Sequence, residues 1–148
     1  MLKIVIDANL WFSCLIGKKL KSLEKLCSDK NISVIASPKI VEEFVDVSSR
    51  KRVQRFIKQE NVPKILNLIE ARCVNDPVEH ILNPGLRDPD DLYLLALSDA
   101  VGADFLLTGD KDLLVFGKYN QTKIISYSEF MVKYKSLLWR FKRFFKQR

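Results

Sequence analysis

Lys3 is followed by Ile4-Val5-Ile6 and then by Asp7, so the chain opens on a short apolar run that stops at a carboxylate. A run of this kind predicts a strand buried on both faces. Ile32 to Ala36, Asp104 to Leu107 and Lys123 to Ile125 repeat the pattern, with Arg72-Cys73-Val74 as a shorter candidate. Between these runs the apolar positions change to helical spacing. Leu20, Leu23, Leu26 and Cys27 mark a helix within Leu10 to Asp29, interrupted by Gly17 and the cations Lys18, Lys19 and Lys21. Lys39 to Ser49 and Arg52 to Leu68 read as helices, the second broken at Asn61 to Pro63, and Asn75 to Arg87, with its prolines and glycine, reads as a loop. Asp88 opens a helix to Val101, a helical turn follows at Asp112 to Val115, and the capping box Ser126-Tyr127-Ser128-Glu129 starts a last helix. Strands alternating with helices predict an α/β fold, a parallel sheet covered on both faces.

At 148 residues the chain is one domain by size. Its 47% hydrophobic and 29% charged residues describe a globular protein, not a disordered one. The formal net charge of +7 favours a polyanionic partner such as nucleic acid. That excess is local, because residues 133–148 carry seven cations and no acid. The division expected is a domain over residues 1–132 and a basic amphipathic helical extension over 133–148. Cys14, Cys27 and Cys73 are widely spaced and read as buried, reduced thiols, and the lone His80 lies in the loop, which argues against a cysteine–histidine dyad. No apolar run approaches the roughly 20 residues of a membrane span, and the chain enters a strand directly, so a cytoplasmic location is expected.

Four carboxylates fall where strand ends meet helix starts: Asp7, Glu43, Asp91 and Asp110. Asp7 closes the first strand, and Asp110 follows Leu107 through Thr108-Gly109. Parallel strands share one carboxyl edge. Ser37-Pro38, a cap followed by proline, starts a helix at that edge, and Glu43 lies about 9 Å along it at about 1.5 Å per residue. Asp88-Pro89-Asp90-Asp91 repeats the signal and puts Asp91 in a first turn at the same edge. Carboxylates gathered together repel unless a cation sits among them, and an all-oxygen site suits Mg²⁺ or Mn²⁺.

Each acid also has an ordinary structural reading. Asp91 favours a helix's positive end, Asp110 completes a turn with Thr108, Asn9 caps the next helix, and Asp112 competes with Asp110. Glu42 and Glu43 are adjacent, and periodicity does not choose between them. Asp7 is harder to dismiss, since a carboxylate closing an apolar strand is desolvated unless something compensates it.

At Val5-Ile6-Asp7-Ala8-Asn9, Ser37-Pro38-Lys39-Ile40-Val41-Glu42-Glu43-Phe44, Arg87-Asp88-Pro89-Asp90-Asp91 and Leu107-Thr108-Gly109-Asp110-Lys111-Asp112-Leu113-Leu114, the chain resembles the PIN-domain family. Within that family it looks like the toxin components of toxin–antitoxin systems. The resemblance runs from about Met1 to Phe130. It implies a three-layer α/β/α fold with sheet order 3-2-1-4-5 and a catalytic, metal-binding quartet at Asp7, Glu43, Asp91 and Asp110. Asp112 joins the metal positions, with Asn9 and Thr108 as auxiliary polar residues. Also implied are Mg²⁺- or Mn²⁺-dependent hydrolysis of RNA, a homodimer, and a small antitoxin filling the acidic groove.

Two other classes compete. Aspartate-based phosphatases also place an acid after the first strand, but want a second Asp where this chain has Asn9; a non-catalytic RNA-binding module would use the positive charge without the acids. The segment past Lys133 matches nothing in the family pattern. Tyr134, Leu137, Leu138, Phe141, Phe144 and Phe145 recur there at helical spacing, which predicts either a packed stripe or a helix whose cations Arg140, Lys142, Arg143 and Lys146 meet RNA phosphates.

Overall fold

The computed structural model describes residues 1–16, 19–77 and 92–146, with residues 137–146 described in their backbone alone. Five strands, β1 (Leu2–Ile6), β2 (Ile32–Ile35), β3 (Phe105–Leu107), β4 (Lys118–Tyr119) and β5 (Thr122–Ile125), form one sheet in the order β2-β1-β3-β5-β4. β1 is its axis. It pairs in parallel with β2 through Val5↔Ile35 and with β3 through Ile6↔Leu107. Ile4, Val5 and Ile6 are all buried, as consecutive strand residues must be when both faces are covered. The architecture is the expected α/β/α arrangement around a mostly parallel sheet.

The strand order differs in detail from 3-2-1-4-5. Arg72 to Val74 contributes a single parallel bridge, Cys73 to Ala36, beside β2. The Arg72 guanidinium there donates to the carbonyls of Leu68 and Cys27, and Val74 to Pro77 form no strand. At the other edge β4 pairs antiparallel with β5, so the sheet is not wholly parallel. Asn120 makes that hairpin possible by taking a φ of 51°, which asparagine tolerates better than most residues.

Eight helices are described: α1 (Ala8–Ile16), α2 (Leu20–Ser28), α3 (Pro38–Ser48), α4 (Lys51–Gln54), α5 (Asn61–Glu70), α6 (Leu92–Val101), α7 (Lys111–Phe116) and α8 (Tyr127–Lys146). The expected break at Asn61 to Pro63 falls earlier, over residues 55–60, and Pro63 sits in the first turn of α5, where its missing N–H costs nothing. Gly117 ends α7 with a φ of 65°, a conformation that favours glycine. Asp88 to Asp91, with the rest of the loop from residue 78 and with His80, lie outside the described residues.

The thiols are free, but only Cys14 is buried; Cys27 is half-buried and Cys73 is exposed in its bridge at the sheet edge. Burial pushes the Cys14 thiol up to about 11 and raises the other two, so none is poised as a thiolate nucleophile. Among the described residues no helix is long and apolar enough to cross a membrane.

Candidate active site

The polar residues that follow β1 and β3 meet at the sheet's carboxyl edge. Asp7 extends β1 by one rung, its N–H donating to the Leu107 carbonyl at 3.0 Å, so its side chain stands beside Thr108. The Thr108 hydroxyl donates to Asp7 Oδ2 at 2.8 Å and accepts from the Asp110 N–H at 3.0 Å. Asp7 Oδ1 accepts from the Asn9 N–H at 3.1 Å, and Asp110 Oδ1 accepts from the Asp112 N–H at 2.8 Å, which makes Asp110 the N-cap of α7. One hydroxyl therefore joins two carboxylate residues from neighbouring strands.

Asp7 is only 3% exposed. Burial pushes its carboxyl above the ordinary value of 3.8, the Thr108 and Asn9 hydrogen bonds oppose that, and the negative charge of Asp110 raises it again. A buried acid with a second acid beside it is in a setting that a cation would relieve. Every donor gathered here is an oxygen. Such a set fits Mg²⁺ or Mn²⁺, since Mg²⁺ commonly binds through one or two carboxylates and keeps several waters. Among the described residues no three His, Cys, Asp or Glu side chains lie close enough together to hold an ion. Asp7 and Asp110 are thus a pair there, and Asp91 lies outside the described set.

Glu43 is placed differently. It lies on the second turn of α3, which starts at the same edge, and its Oε2 accepts from the Tyr93 hydroxyl at 2.9 Å. Tyr93 in turn has the Lys39 ammonium 5.7 Å from its ring centroid. Glu43 is half-buried and carries this bond, whereas Glu42 is exposed. Tyr93 is the second residue of α6, two positions after Asp91, and α6 runs back to the start of β3, so this end of α6 faces the carboxyl edge. Nothing in the sequence marks Tyr93, because it sits in the apolar run Leu92 to Leu97 and reads as core.

Other expected positions fare unevenly. Asn9 contributes its backbone N–H, its side chain being exposed. Ser37 occupies the N-cap position of α3 but makes no cap hydrogen bond. The Lys39 N–H goes to Asp76 Oδ1 at 3.4 Å and the Ile40 N–H to the Ser37 carbonyl at 3.1 Å, so the donors that Ser37 would cap are already taken. Ser126 does cap α8, accepting from the Glu129 N–H at 3.1 Å. The side chains of Arg140, Lys142, Arg143 and Lys146 lie outside the described set.

Comparison with known proteins gives a family. The family model described as PIN domain matches residues 3–112, from β1 into the start of α7, and leaves β4, β5 and α8 beyond its end. No curated protein matches the chain. PIN domains are generally of nuclease type, so at that level the domain is a nuclease-type hydrolase. With the α/β/α sheet, with Asp7 and Asp110 joined at its carboxyl edge, and with a match over most of its length, the chain belongs to the PIN-domain family.

Proposed function

We propose that this protein is a divalent-metal-dependent endoribonuclease, acting in the cytoplasm as the toxin of a toxin–antitoxin pair. The observation that carries the reading is the buried Asp7 carboxylate, joined through Thr108 to Asp110 at the carboxyl edge. The hydroxyl ties the Asp7 carboxylate to the Asp110 backbone, and two carboxylates that feel each other's charge favour a hard cation beside them. Asp7 and Asp110 are the central ligands in this reading, with Glu43, Asp91 and Asp112 completing the acidic set around Mg²⁺ or Mn²⁺. An ion held by these residues would supply Lewis acidity for activating water and for stabilising the leaving oxygen in attack on a phosphodiester.

The protein's own residues do the rest. Thr108 and the Asn9 N–H fix the rotamer of Asp7, while the Asp112 N–H fixes that of Asp110. Tyr93 holds Glu43 at the start of α6, beside the position of Asp91 in sequence. The tail cations Arg140, Lys142, Arg143 and Lys146 supply phosphate contacts, and the net charge of +7 suits an RNA partner. A small antitoxin and a second copy of the chain are the protein partners.

The test is cleavage of an end-labelled single-stranded RNA by protein purified free of host nucleases. Products should form with Mn²⁺ and stop with EDTA. RNA that shifts on binding but stays intact with Mn²⁺ would make the chain a binding module instead.

A further inference from the structure

Residues 47–59 contain five cations and no acid, and in their midst stands Phe56, 74% exposed. The ring faces water for a local reason. Phe56 continues the turn of α4, its N–H donating to the Val53 carbonyl at 2.9 Å, and the inner side of that turn is already filled by Ile57 and Val53, both packed on the core. Arg50 is engaged by Asp46 at 2.9 Å. Among the described residues Lys51, Arg52, Arg55 and Lys58 have no ion-pair partner, and all are exposed.

A single exposed apolar side chain is ordinary. A ring with four cations lacking ion-pair partners within five residues of it in sequence is a different chemistry, since it offers a π-face for a base and charges for the flanking phosphates. A second protein surface fits less well, because interface cores are depleted of charge and the exposed residues next to Phe56 in sequence are mostly cations and glutamines, with Glu60 as the one acid of the turn. A duplex keeps its bases stacked on one another, so the ligand chemistry is that of an unpaired strand. The place is also separate from the carboxylates. α3 starts at the carboxyl edge and its eleven residues carry the chain about 16 Å before α4 begins.

We infer that the turn between α4 and α5 is a second RNA-binding site, where a base of single-stranded RNA stacks on Phe56 and its phosphates meet Lys51, Arg52, Arg55 and Lys58. The inference rests on the RNA-directed reading of the domain and adds to it a contact remote from the acids. It gives a use to the four exposed cations of residues 51–58 that lack an ion-pair partner among the described residues.

The test is fluorescence anisotropy of a labelled single-stranded RNA with the full chain in EDTA, over a range of KCl. Phe56→Ala should weaken binding about tenfold with an unchanged salt slope, and Phe56→Trp should restore it. Changing Lys51, Arg52, Arg55 and Lys58 together to Gln should flatten the slope by about 0.7 for each phosphate no longer neutralised. Wild-type affinity in Phe56→Ala overturns the inference. So does displacement of the RNA by polyglutamate with equal ease from wild type and Phe56→Ala, which gives the surface to an acidic protein segment. Loss of self-association in Phe56→Ala with RNA affinity intact also overturns it, in favour of a second copy. Mn²⁺-dependent cleavage by the same proteins separates the two readings. A wild type that binds through Phe56 without cutting sinks the nuclease and leaves this site standing, whereas one that cuts while Phe56→Ala binds normally sinks this site alone.

Discussion

Thr108 is where the Asp7–Asp110 pair is made or broken. Its hydroxyl is fully buried, donating to one residue and accepting from the other. Thr108→Val keeps the shape and removes both bonds, leaving a buried carboxylate oxygen and a backbone N–H without partners. We expect a loss of about 1–3 kcal/mol in urea denaturation, with Thr108→Ser close to wild type. Equal stability of Thr108→Val and wild type would mean the hydroxyl joins nothing of consequence. Asp7 gives a second prediction, in pH. An acid whose folded value is raised holds its proton more tightly in the native state, so metal-free stability falls as pH rises from about 3.8 through the higher folded value. Asp7→Asn should remove this component, so that the variant gains on wild type between acid and neutral pH in EDTA. A constant difference across that range would show that Asp7 is not strained by burial. At this scale Asp7 and Asp110 stood out in the sequence, because Asp7 closes an apolar strand with a charge and Asp110 follows one through the turn Thr108-Gly109. The sequence could not mark Tyr93 or Phe56: an aromatic in a helical pattern looks the same whether its tip meets a carboxylate, the core or water.

Among the elements, α8 shows most clearly what pattern can and cannot reveal. Its capping box was readable, and so was its amphipathic stripe, but not what the stripe meets. Phe130 is fully buried, its ring 5.5 Å from that of Phe105 on β3 and 6.0 Å from that of Tyr134. The Tyr134 hydroxyl donates to Asp29 Oδ2 at 2.5 Å, and Tyr127 shares a hydrogen bond with Ser22 of α2. The helix runs on without a break from Tyr127 to Lys146, so its first turns are core and the later ones continue the same rod. Phe130→Ala should cost about 3–5 kcal/mol. A chain ending at Ser136 keeps Tyr134 and should stay folded, but bind RNA more weakly and with a shallower salt dependence. Unchanged affinity and slope in that truncation would remove the tail from RNA binding. β4 and the bridge at Cys73 escaped the sequence for a simpler reason. Two residues, or one, are too short to show any periodicity.

In the whole molecule, the parallel order of β2, β1 and β3 brings the ends of separate apolar runs to one edge, and this much follows from the alternation of strands and helices. The acids at the carboxyl edge and the cations of the tail were readable in the sequence, but the exposure of the ring and cations past α3 was not. A cation bound only by the native state should raise the melting temperature. With Mn²⁺ at a hundredfold over its dissociation constant the gain is about 2.7 kcal/mol, or about 5–10 °C for a chain of this size. Asp110→Asn should lose most of it, and the same shift in that variant would put the ion elsewhere.

The measurement closest to the chemistry is single-turnover cleavage of labelled RNA in Mn²⁺ by wild type, Asp7→Asn and Asp110→Asn, at protein concentrations that saturate the RNA for each. Both variants should bind RNA and melt cooperatively while cleavage falls by about two orders of magnitude or more, since losing a charged ligand at the reacting phosphate removes several kcal/mol of transition-state stabilisation. Wild-type cleavage rates in Asp7→Asn, with the fold and RNA affinity intact, would contradict the assignment of catalysis to the carboxyl edge of β1 and β3.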